Sequence, residues 1–197
     1  MANFDCSSIF LKGICQDCQP ALGGIKKIWI ARYADLDFDA IKAGITTDAT
    51  RGGVELEISA VPFKASATGA KWYEYQFRKN TGSLTSTLNV DEATGINYVQ
   101  NDLSLVFTKM ETAKRLEISA LSVGQVAVIV LDANDKYWFL GLDEYVSASA
   151  GAGQTGVQKT DQNAYTITLS TASSTYPYEL DADGIASLKT NAAGNCD

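Results

Sequence analysis

The sequence predicts a mainly β protein with one flanking α-helix around 109–123 and a short C-terminal helix. Three observations carry this. Two apolar, β-rich runs, Val126 to Leu131 and Tyr137 to Leu142, are split by Asp132-Ala133-Asn134-Asp135-Lys136. Asp and Asn tolerate the left-handed region and bond to their own backbone, so the pair reads as a hairpin. Neither run is broken by polar residues, which places the hairpin at the centre of the core. Second, Val54 to Phe63 and Ala164 to Ser170 alternate apolar and polar residues, the period of a strand. Third, only one stretch, Thr108 to Gly124, combines a helical apolar period with end signals.

In chain order, residues 1–23 read as an irregular arm, closed by Pro20 and Gly23-Gly24. Gly24 to Tyr33 is a strand, with Ile28 and Ile30 on one side and Lys27, Trp29 and Ala31 on the other. Residues 34–50 fit either a helical turn or a loop. Val54 to Phe63 is expected to bury Val54, Leu56, Ile58 and Ala60 and to expose Glu55, Glu57 and Ser59, ending near Pro62. Trp72 to Arg78 and Ser83 to Val90 are strands, and Asp91 to Gly95 is a turn. Ile96 to Phe107 holds one or two strands. In the helix, Thr108 and Glu111 have capping-box spacing, and Met110, Ala113, Leu116, Ala120 and Leu121 form the apolar stripe. Residues 147–162, rich in Ala, Gly, Ser and Gln, read as a flexible loop. Tyr176 to Leu180 is a short strand, and Asp181 to Lys189 a helix with acids at its start. The 197 residues fit one domain.

Composition narrows function. Net charge is −7, and the basic residues come in short scattered pairs, so no stripe tracks a phosphate backbone. No apolar run approaches the ~20 residues that span a bilayer, so no membrane partner is expected. The start MANFDCSSIF lacks a positive n-region, so folding in a cytosol with reduced thiols is expected. Histidine is absent, which excludes Ser-His-Asp and Cys-His nucleophiles and histidine metal sites.

Each candidate motif has a plainer reading. Gly151-Ala152-Gly153-Gln154-Thr155-Gly156 matches a dinucleotide fingerprint in letters, but a polar stretch and a strand follow it where a helix is required. Cys15 and Cys18 form a CxxC. With Cys6 and Cys196 they offer four thiolates to one zinc, which would tie the arm to the tail. Unliganded structural thiols are the reading the spacing favours. The Asp132 and Asp181 segments resemble calcium loops but continue wrongly, and turn and cap chemistry explains them. Asp143 and Glu144, neighbours on a strand, point to opposite faces and do not converge as a glycosidase pair unless the strand breaks there; a solvated strand end is the plainer reading. Trp72, Tyr73 and Tyr75 suit either sugar stacking or packing. No catalytic set and no cofactor emerges, so an enzyme, such as a cell-wall hydrolase, is not the expectation.

Four segments together resemble a known family: CSSIFLKGICQDC, GGIKKIWIARY, VIVLDANDKYWFLGLDE and GAGQTGVQKTDQNAYTITLSTASSTYPYEL. In order and character they resemble tail tube or tail-ring proteins of tailed phages that infect Bacteroidetes, the crAss-like group and its relatives. The resemblance implies a tail-tube-like β-sandwich or barrel that assembles with copies of itself into a ring, sixfold or a multiple. It further implies contact with other tail or neck proteins, and DNA passing through without specific binding. Under it, the acidic charge keeps a conduit from adhering to its cargo, and Glu55 and Glu57 are expected to face the lumen. The competing expectation is a receptor- or carbohydrate-binding virion decoration on a similar sandwich, which would be a trimer rather than a ring.

Overall fold

The computed structural model describes residues 21–48 and 54–193. Its strands are β1 (Ile25–Arg32), β2 (Ile45–Asp48), β3 (Val54–Ile58), β4 (Tyr73–Gln76), β5 (Gly82–Asp91), β6 (Ile96–Thr108), β7 (Val126–Asp132), β8 (Tyr137–Leu140), β9 (Ser147–Gln154), β10 (Ala164–Ser173) and β11 (Tyr178–Leu180). The helices are α1 (Phe38–Ala43), α2 (Thr112–Val123) and α3 (Ala182–Asn191). They form a seven-stranded sheet, order β2-β3-β11-β8-β7-β1-β4, and a four-stranded sheet, order β5-β6-β10-β9. The fold is mainly β and neither sheet closes into a barrel.

The β7–β8 hairpin is central, as its composition requires. Val126, Val128 and Val130 face the second sheet, where they meet Leu103, Leu105, Ile167 and Leu169. Ala127, Ile129 and Leu131 face the opposite way, with Ile41 of α1, Leu188 of α3 and the buried Trp72. Both faces of β7 are covered, so both residue parities must be apolar. Ile28 and Ile30 of β1 enter the first cluster, and Trp29 and Ala31 the second. The result is three layers: four-stranded sheet, seven-stranded sheet, and a cover of α1, α3 and the segment around Leu36 and Val61.

Several expectations are corrected. Residues 147–154 form β9, not a flexible loop; Ala148 pairs with Leu169 and Gly151 with Ile167. Ladder hydrogen bonds are blind to side chains, so a strand of Ala, Ser and Gly carries no periodic signature. Thr108 is the last residue of β6 and does not cap α2, whose N-cap is Glu111 without a side-chain cap bond. The Glu111 carboxylate instead pairs with Lys109 and Lys114. Leu116 is exposed, and the buried contacts of α2 come from Leu121 and Ile118. Leu56 is exposed too, although its neighbour Ile58 is fully buried. The cover over β3 is local, because α3 lies on Ile58. The pairing of β3 with β11 is parallel, a long-range contact that no local pattern announces.

Candidate assembly surface

The four-stranded sheet has a buried face and an open one. Leu103, Leu105, Ile167 and Leu169 point into the core. Alternation sends Ser83, Thr85, Thr87, Gln100, Asp102, Ser104, Thr166, Thr168 and Ser170 to the other face, and cross-strand register confirms it, with Thr85 opposite Asp102 and Asp102 opposite Ser170. Hydrogen bonds knit the face: the Ser170 hydroxyl donates to Asp102 Oδ1 at 2.5 Å, and Gln100 Nε2 donates to the same oxygen at 3.3 Å. No strand of this sheet contains Lys or Arg. On the inner side a single buried amide ties three strands. The Ser86 hydroxyl donates to Asn101 Oδ1 at 2.6 Å, and Asn101 Nδ2 donates to Ser173 Oγ at 2.9 Å.

Both edges of this sheet are open. β5 and β9 each have a strand on one side only. β5 is ten residues long and β9 eight, and neither contains Pro or a charged residue other than Asp91 at the end of β5. Long edges without Lys or Pro are the kind that pair with another chain; the register of β9 with β10 shifts once, between Thr168 and Leu169, near the start of β9. The edges of the seven-stranded sheet, β2 and β4, are four residues each, and shortness is itself a protection.

The acids singled out in the sequence fall elsewhere. Glu55 and Glu57 lie on β3, in the seven-stranded sheet. Glu55 is half-buried and accepts a 2.5 Å hydrogen bond from the Tyr178 hydroxyl. Burial and this bond raise the Tyr178 pKa to about 12. A phenol whose folded pKa exceeds its unfolded value, 10.0, holds its proton more tightly when folded. Its contribution to stability is complete below pH 10 and is lost as pH rises toward about 12. Thermal denaturation across that alkaline range should show a steeper loss in the wild type than in Tyr178→Phe; parallel curves would remove the coupling.

The strand expected through Asp143 and Glu144 ends at Leu140, so the two do not alternate across a sheet; both line one cleft of about 620 Å³ with Lys42, Glu55, Tyr98 and Tyr178. Asp143 Oδ2 is engaged by the backbone N–H and hydroxyl of Ser174, both at 2.8 Å. Asp132 organises the β7–β8 turn, its Oδ1 accepting from the N–H groups of Asn134 and Lys136. Asp181 caps α3 by accepting from Gly184 N and takes the Ser59 hydroxyl at 2.7 Å. Burial opposes ionisation there, but these donors hold the carboxyl below its ordinary pKa. Both calcium-like segments are therefore turn and cap chemistry. Gly151 and Gly153 belong to β9 and β10 follows, so the dinucleotide motif has no helix behind it. Trp72 is fully buried and cannot present a sugar platform, while the Tyr75 hydroxyl donates to Glu117 Oε2 at 2.9 Å. Cys6, Cys15, Cys18 and Cys196 lie outside the described residues. Among the described residues no cluster of Cys, Asp or Glu fits a metal ion, and no helix is long and apolar enough to cross a membrane.

The hydroxyl-rich face was missed by motif reading, yet the sequence carries its trace. Residues 80–108, 137–158 and 160–188 contain no Lys or Arg, and only pairing shows that parts of all three share one sheet. Protein-family models, curated proteins and solved structures all fail to match this chain.

Proposed function

We propose that this protein is a structural subunit that closes on copies of itself into a ring, with the outer face of the four-stranded sheet lining the passage. The observation that carries the reading is the combination of two open edges, β5 and β9, on one base-free sheet. Edge β5 of one copy pairs with edge β9 of the next, a heterologous contact that generates a closed ring when the rotation returns to its start. Copies joined in this way present a wall of mostly Ser, Thr, Gln and Asp102 side chains, interrupted by Val106 and, toward the β5–β6 turn, by Ile96 and Tyr98.

Such a wall suits the passage of nucleic acid. Binding of DNA rests on Lys and Arg neutralising phosphates, and this face has none. Asp102 adds repulsion rather than grip. The resemblance to tail tube and tail-ring proteins points the same way, with genome DNA as the cargo and other tail or neck proteins as neighbours in the virion. The lining is assigned to the four-stranded sheet rather than to Glu55 and Glu57, because Glu55 is already engaged by Tyr178.

The test is mass and symmetry in solution. Sedimentation velocity and negative-stain imaging of the full chain should show a ring. Ala150→Lys with Ala152→Lys places two cations beside the β9 edge, the device natural sheets use against edge pairing. That variant should sediment as a monomer with an unchanged melting temperature. A wild-type monomer at high concentration, a trimer of the kind a receptor-binding decoration forms, or a variant that still assembles would each refute the reading.

A further inference from the structure

The cleft of about 620 Å³ lies between the β2–β3–β11 side of the seven-stranded sheet and the ends of β6 and β10 in the other sheet. Its volume falls within the ~300–1,000 Å³ of small-molecule sites. None of its lining residues belongs to β5 or β9, so edge pairing does not use its walls.

Those walls are held by bonds internal to the chain. The segment 141–146 is closed by two backbone bonds between Val126 and Val146, at 3.0 and 2.8 Å. The buried Thr171 hydroxyl donates to Glu144 O at 3.1 Å. Asp143 Oδ2 takes both donors of Ser174. The Tyr178 ring is fixed through its hydroxyl bond to Glu55. A site formed before its ligand arrives loses little ordering entropy on binding.

The polar groups of the cleft divide into occupied and open. The carboxylates of Glu55 and Asp143 are occupied by Tyr178 and Ser174. Lys42, Asn97 and Glu144 are exposed, and their side chains make no hydrogen bond or ion pair with another described residue. The open set is thus one cation, one amide and one anion. It can both donate and accept, and its charges sum to zero. Beside it, Ile45, Leu142 and Tyr178 supply apolar surface. Sugars match this combination, with a C–H face for an apolar wall and a rim of hydroxyls that each donate and accept. Charged ligands fit worse. A phosphate would face Glu55, Asp143 and Glu144, while an amine would meet Lys42 and find two of the three carboxylates already engaged. Among the described residues no group of acids fits a metal ion.

We propose that this cleft binds a neutral sugar, a mono- or disaccharide, with its ring against Tyr178 and Leu142 and its hydroxyls shared among Lys42, Asn97 and Glu144. This goes beyond the ring reading and does not rest on it, since each copy carries the whole cleft.

The experiment is saturation-transfer NMR on the full chain, with glucose, galactose, mannose, N-acetylglucosamine and maltose as probes. At least one of them should bind, with a Kd on the order of 1 mM or tighter. Glu144→Ala and Lys42→Ala change exposed side chains that hold nothing else in place. Each should weaken binding about tenfold, the loss of a hydrogen bond to a charged group, with the melting temperature unchanged. The edge variant Ala150→Lys with Ala152→Lys should bind sugar as the wild type does, so the ring and the cleft are tested separately. No saturation transfer to any of these sugars, full affinity in both single variants, or displacement of the sugar by spermidine or inorganic phosphate would overturn the proposal.

Discussion

Truncating Trp72 to alanine is expected to lower unfolding free energy by about 3–5 kcal/mol, the range for removing a large buried aromatic. Trp72 precedes β4 and is fully buried. Its ring meets Phe63 at 5.9 Å and Phe139 of β8 at 6.3 Å between centroids. Its Nε1 donates to Val61 O at 3.4 Å, and its backbone N donates to Asn191 O at the end of α3 at 3.0 Å. The side chain therefore joins the cover segment, the central hairpin and the last helix. The backbone bonds survive truncation, so the loss reads the ring alone: transfer of apolar area plus the cavity left behind. Urea denaturation measures it. A loss below about 1 kcal/mol would mean that the second core does not depend on this ring.

Replacing Gly184 with alanine is expected to cost roughly 3 kcal/mol, at the upper end of overpacking effects. Gly184 lies in the first turn of α3, and a Cβ there would sit 2.3 Å from Ile58 O. Two effects oppose each other. Alanine favours helix over glycine by about 1 kcal/mol. The clash is with a backbone carbonyl of β3, which also accepts the Asp181 N–H at 3.2 Å, so it has no rotamer through which to yield. The clash wins, and α3 must lift from the sheet. The observable is the denaturant midpoint of Gly184→Ala, with Ala186→Gly as a helix-propensity control. An alanine variant as stable as wild type would show that α3 does not rest on Ile58.

The parts of the fold written in local pattern were legible. The β7–β8 hairpin is unbroken apolar sequence because two layers cover it, and β10 alternates because one does. Asp181 announced α3, since a cap bond needs only three residues. β9 was illegible: Ala, Gly and Ser satisfy a ladder without marking it. The buried side of α2 was legible only in part: Leu121 of the expected stripe is buried, whereas Leu116 of the same stripe is exposed and Ile118, outside it, packs on the core. Only the neighbouring sheet chooses between them. The engagement of Glu55 by Tyr178 joins residues far apart in sequence, so a solvent-facing role for Glu55 could not be tested without the pairing of β3 with β11.

The sequence by itself determined that the chain is β-rich, that its centre is the hairpin, and that it lacks the histidine chemistry of many hydrolases; these follow from composition and from periods of a few residues. Tertiary structure alone decided which base-free segments share a sheet, which edges stay open and which polar groups line the cleft. Those properties arise from strand order, and strand order is set by hydrogen bonds and packing between segments that the chain itself keeps far apart.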